Sequence, residues 1–213
     1  MTPFRLFDAH PLRMPAGRSV VNLRELLAAV RDVDDQILRH HLFRFPLDPT
    51  YDFSQYGHEF ASWAEVGLQD AALAERLGNF DPYRNPEPCS LRAGLIDIIE
   101  DHLAESHHVP WARPGCELHL TRSILVAYPT GREACSLAEL AELIRGSSRG
   151  SFYFHFFEAR SRLAERADDF STWIASALGQ AEIAERIRRI DFPALRVDGV
   201  RGAVLRALPE VAS

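Results

Sequence analysis

Apolar and polar positions alternate at Phe4 and Leu6 and again at Leu12 and Met14, around an irregular stretch from Asp8 to Pro11. Residues 4–14 are therefore predicted to form a strand. Pro15-Ala-Gly17 carries turn chemistry and is expected to end it. From Leu23 the period changes. Leu23, Leu26, Leu27 and Val30 fall at i, i+3, i+4 and i+7, one apolar face of a helix. Asn22 is placed to cap that helix, and Glu25 to reach back to its start. Asp34 is the expected cap of a second helix, with Ile37, Leu38, His41 and Leu42 on one side. A third carries Phe60, Trp63, Ala64 and Leu68, and a short fourth holds Leu73 and Leu77. Asp81-Pro82 breaks the chain before a fifth, Leu91 to Leu103.

The same pattern is then written again. Asn22-Leu-Arg-Glu-Leu26 returns as Ser136-Leu-Ala-Glu-Leu140, and His41-Leu-Phe43 as His155-Phe-Phe157. After a four-residue slip, Phe60, Trp63 and Leu68 meet Phe170, Trp173 and Leu178. Such self-similarity predicts a duplicated unit: residues 1–103 as a first repeat, 104–116 as a linker, and 117–213 as a second. A lone strand leaves its backbone unpaired, so the strands at 4–14 and 118–128 are expected to pair with each other. The predicted fold is α+β and helix-dominated. It has two pseudo-twofold-related repeats, each a strand followed by about five helices, as in a symmetric dimer. The repeats differ after the second helix. Residues 45–58 form a Pro- and aromatic-rich loop, whereas Glu158 to Ala167 favours a prolonged helix.

Composition narrows the function classes. A formal charge of −6 argues against a nucleic-acid binder. No apolar run approaches the roughly 18 residues of a membrane span, and Met1-Thr-Pro-Phe-Arg5 lacks the apolar core of a signal peptide. Three cysteines suit a reducing cytoplasm better than a disulfide framework. All 24 basic residues are arginine, which excludes the phosphate-binding loop with its lysine, Schiff-base chemistry and a Ser-Lys dyad.

Taken together, these motifs resemble a known family. They are a strand, Ala16-Gly17-Arg18 or Thr130-Gly131-Arg132, a Leu-rich helix, a His-bearing aromatic helix, Asp169-Phe170 with Trp173, and Ala74-Glu-Arg76 or Ala184-Glu-Arg186. The pattern is similar to an uncharacterised bacterial and archaeal family, a domain of unknown function numbered five-seven-five-two, over nearly the whole chain. Where that pattern has Asn-Asp-Phe, this chain has Asp168-Asp-Phe170 and Gly57-His-Glu-Phe60. The resemblance implies kinship and no activity, so it assigns no catalytic residue.

Candidate chemistry falls in four places. His41 and His155 stand on apolar helix faces, either as ligand-contacting imidazoles or as structural histidines bonded to backbone; retention in both repeats favours the structural role. His102, His107, His108, Cys116 and His119 have zinc-like residue types but lack a second tight ligand pair. Arg18 and Arg132 follow matching turns and are candidates for an anion clamp. The loop and its approach, with His40, His41, Tyr51, Asp52, Tyr56 and His58, form the candidate ligand pocket. There the repeats diverge, Phe154 standing where the first has His40. An Asp52–His40 contact is expected, with no equal pocket at Glu158–Asp168. The reading is a non-catalytic cytoplasmic ligand-binding or protein-interaction module, possessing no cofactor and able to self-associate. The alternatives are a small-molecule enzyme using histidine acid/base chemistry near residues 45–58, and a metal-binding protein.

Overall fold

In the computed structural model, which describes residues 2–48, 54–162, 167–192 and 195–209, two long strands organise the chain. β1 (Phe4–Val20) and β2 (Leu118–Ala134) are hydrogen-bonded to each other as a two-stranded sheet. Arg5 meets Glu133, Leu6 meets Thr130 and His10 stacks on Tyr128, so numbers fall along one strand as they rise along the other. The pairing is antiparallel. Both strands run past the expected ends at residues 14 and 128, through the Pro-x-Gly segments expected to turn. Gly17 and Gly131 take the left-handed conformation, at φ of 69° and 75°, and absorb a local bend without ending the strand. Pro15 and Pro129 are tolerated because each strand of a two-stranded sheet has one unpaired side.

Two compact units result: residues 11–124, and residues 1–10 together with 125–213. The expected linker at 104–116 does not mark their boundary. Its backbone is bonded to the start of the first helix, Ala112 N donating to Val21 O at 2.7 Å and Leu23 N to Pro110 O at 3.1 Å.

In the unit of residues 11–124, α1 (Leu23–Asp32) starts at the Asn22 cap, whose side chain accepts from Glu25 N. Glu25 reaches back one residue further than a capping box requires, accepting from Val21 N at 3.0 Å. α2 (Asp35–Phe43) starts at the Asp34 cap. α3 (Glu59–Val66), α4 (Ala71–Gly78) and α5 (Pro88–Glu105) follow. Their apolar faces close on one core with Leu118 and Leu120, alternate residues at the start of β2.

In the other unit, α6 (Leu137–Arg145) is capped by Ser136, and Glu139 accepts from Cys135 N at 2.6 Å. α7 (Arg149–Tyr153) leads through a wider π turn (Phe154–Glu158) into α8 (Ala159–Arg162), so the helix is prolonged as expected at least to Arg162. Residues 163–166 lie outside the described residues. A Cβ on Gly150 would sit 2.1 Å from Ala9 O, so only glycine lets α7 approach β1 this closely. α9 (Asp169–Leu178), α10 (Ala181–Arg188) and α11 (Val197–Ala207) complete the unit. Its core takes in the other end of β1: the Phe4 ring lies 5.4 Å from Phe170 and 5.8 Å from Trp173. No helix among the described residues is long and apolar enough to cross a membrane.

Candidate functional site

A strand that pairs on one side leaves outward N–H groups in need of acceptors. In the unit of residues 11–124, α2 supplies one. His41, fully buried, accepts the Thr121 amide at its Nε2 (3.1 Å), and its Nδ1 lies 2.7 Å from Glu59 Oε2. The backbone amide can only donate, so Nε2 carries the lone pair and Nδ1 carries the proton given to Glu59. Burial works to raise the Glu59 pKa, but the hydrogen bond from His41 works against it, and the carboxyl is held below its ordinary range. The other unit repeats the arrangement. His155 Nε2 accepts from Phe7 N at 2.9 Å, and Nδ1 lies 2.8 Å from Asp169 Oδ2. Both histidines hold a strand edge to a helix, which is the structural role.

His40 is different. Its relative exposure is 7%, its Nδ1 lies 2.8 Å from Ser123 Oγ, and its other ring nitrogen has no hydrogen bond among the described residues. Burial first, then the neighbouring His41, pushes its pKa down to about 4, so the ring is neutral near pH 7. It lines a cleft of about 560 Å³ together with Arg13, Asp48, Glu59, Ser62 and Trp63. Arg13 is tied to Asp48 at 2.5 Å. Trp63 donates its indole N–H to Cys116 O at 2.8 Å. A side chain at Gly67 would strike the Trp63 ring at 2.6 Å, so the glycine leaves room for the indole.

His40, His41 and Glu59 bring donor atoms within 4.8 Å of one another. A metal would want all three, but a neutral imidazole has a single lone pair. That of His41 is already given to the Thr121 amide, so His41 is no ligand while that bond stands.

Among the described residues, the remaining pocket candidates His58 and Tyr56 do not line this cleft. His58 is the N-cap of α3: its Nδ1 accepts from Ala61 N and its Nε2 lies 2.7 Å from Leu77 O. Burial lowers its pKa to about 4. Tyr56 packs against Gly78, whose Cβ would meet its ring at 2.5 Å. Tyr51 and Asp52 lie outside the described residues, and with them the expected Asp52–His40 contact; the acid near His40 is Glu59. The other unit also has a cleft, of about 510 Å³, lined by Phe154, His155, Asp169 and Trp173; none of the described residues of Glu158–Asp168, where no equal pocket is expected, lines it. Both clefts form because the same helix–strand junction creates them.

The linker set is likewise dispersed. His102 Nε2 bonds Asp70 Oδ2 at 2.8 Å, while His107, His108 and His119 are exposed. Of the candidate clamp arginines, Arg18 pairs with Asp32, and Arg132 donates to Gly146 O. Sequence reasoning missed Ser123, Glu59 and Arg13. Glu59 had a usable signal, since an acid recurs at Asp169 beside the recurring histidine.

Comparison with known proteins supplies kinship. The profile of the family of unknown function DUF5752 matches residues 1–209. The chain belongs to this family. Among solved structures, it is similar to OrfY from Thermoproteus tenax, with a TM-score of 0.78 and 25% identity, covering 97% of this chain and 94% of that one. No curated protein matches it.

Proposed function

We propose that this DUF5752 member is a non-catalytic, cytoplasmic small-molecule-binding module built by internal duplication, with its binding site in the His40 cleft. The observation that carries this reading is His40 itself. It is a buried, uncharged imidazole in a cleft wall, fixed on one side by Ser123 and open on the other. That open nitrogen is a polar group which a ligand in the cleft can bond. Duplication is supported by the matched offsets and by two sets of like contacts: His41 with Glu59 and the Thr121 amide, His155 with Asp169 and the Phe7 amide. The three cysteines are free thiols, in keeping with a reducing compartment.

Binding is favoured over proton transfer. A base with a pKa of about 4 is weak at neutral pH, far from the match that acid/base catalysis wants. The test is a thermal-shift screen of metabolite mixtures on the parent and on His40→Phe, the residue the second repeat carries. A ligand that binds the native state raises its midpoint. At least one mixture should raise the parent and leave the variant unmoved. No shift in any mixture, or equal shifts in both proteins, rejects the reading.

A further inference from the structure

The chemistry of the His40 cleft points to its ligand class, and this inference rests on the reading above. The lining carries three carboxylates, Asp48, Glu59 and Glu117, against one guanidinium, Arg13, which is already bound to Asp48. The Glu59 carboxyl is held in its ionised form, and only its Oε2 is bonded, to His41. Ser62 Oγ makes no hydrogen bond among the described residues, and one nitrogen of His40 is open. An anion entering here would meet Glu59 and Glu117, and the one arginine among the described lining residues is the Arg13 already bound to Asp48.

We propose that the cleft binds a small primary ammonium group. Such a group has three N–H donors and no acceptor, and Glu59, His40 and Ser62 supply three acceptor groups. In the tautomer that gives Nδ1–H to Ser123, His40 presents its Nε2 lone pair to the ligand. One ring nitrogen of His40 and one carboxylate oxygen of Glu59 lie no more than 4.8 Å apart. Two acceptors sharing one tetrahedral nitrogen at ordinary hydrogen-bond lengths stand about 4.7 Å apart. Trp63 lies one helical turn beyond Glu59 on α3 and lines the same cleft. It offers its ring to the alkyl part of the ligand and its π face to the charge. The cleft of the other unit keeps a carboxylate and hydroxyls in Asp169, Thr172 and Ser176, but Phe154 stands in the place of His40 and removes the imidazole acceptor.

The experiment compares n-butylammonium, butyrate and 1-butanol at equal concentration and ionic strength, by thermal midpoint and by calorimetric titration. Butylammonium alone should raise the midpoint. Its affinity should fall at least tenfold in Glu59→Gln, which keeps an acceptor for His41 but loses the charge. His40→Phe should show the same loss, and it serves if Glu59→Gln folds poorly. Equal binding of butyrate or butanol, or unchanged affinity in both variants, overturns the inference. If butylammonium fails while another compound binds in a His40-dependent way, the ammonium assignment falls and the cleft stands as a binding site. If nothing binds, the binding module itself is rejected.

Discussion

His58 and Asp168 occupy corresponding places in the two repeated patterns and do one job by opposite chemistry. Each caps the helix that carries a buried tryptophan, α3 in one unit and α9 in the other. His58 does it as a neutral ring, accepting from Ala61 N and bonding Leu77 O. Asp168 does it as an acid bonded to Ser171 and to the buried Arg160, whose guanidinium lies 4.4 Å from the Phe156 ring centroid. A buried cap can therefore be uncharged, or charged with a partner, and the choice decides how each unit responds to pH.

Acid should expose that difference most strongly. His40 and His58, both in the unit of residues 11–124, have folded-state pKa values of about 4 against an ordinary 6.5. Between those values the unfolded chain binds protons that the folded one refuses. Their contribution is fully present above pH 6.5 and lost as pH falls to about 4, roughly 3 kcal/mol for each. Burial raises the pKa of Asp168 despite Arg160, so its own cost is relieved as pH falls. Hydrogen exchange on the whole chain at pH 7 and pH 5 should show residues 11–124 losing protection first; simultaneous loss in both units breaks the comparison.

Substitution sharpens it. Asp168→Ala leaves Arg160 buried without this partner and should cost about 3–5 kcal/mol in denaturant unfolding. His58→Ala forfeits a neutral cap and should cost about 2 kcal/mol or less. A reversed order would mean the charged cap adds nothing. By contrast, His41→Phe and His155→Phe should be alike, each stranding a backbone amide at about 1–3 kcal/mol. The smallest effect is expected of His40→Phe, within about 1 kcal/mol of the parent at pH 7, since Phe154 serves in the corresponding place. A larger loss would make His40 structural.

Local rules made much of this legible. Asn22 and Ser136 cap helices because a capping side-chain oxygen and the backbone N–H that donates to it are three residues apart. The strands paired as expected, but their length was misjudged. Gly17 and Gly131 carry turn chemistry, and only the partner strand decides whether a left-handed glycine turns the chain or merely bends it. His40 was singled out because the repeats diverge there, yet its true neighbour Ser123 is 83 residues away, beyond any local pattern. His58 was read as a ligand group for the same reason. Its divergence reflects a change of cap, as the departure from Asn-Asp-Phe at Gly57-His-Glu-Phe60 hinted.

The discontinuous unit has a consequence during synthesis. Residues 11–124 hold everything needed for their own core once Ile124 has left the ribosome. Residues 1–10 emerge before them but belong with 125–213, so Phe4 and Leu6 wait, apolar, while residues 11–124 are made. Domains tend to complete in the order they are made. Here a segment made before residues 11–124 finds its place only after they are complete.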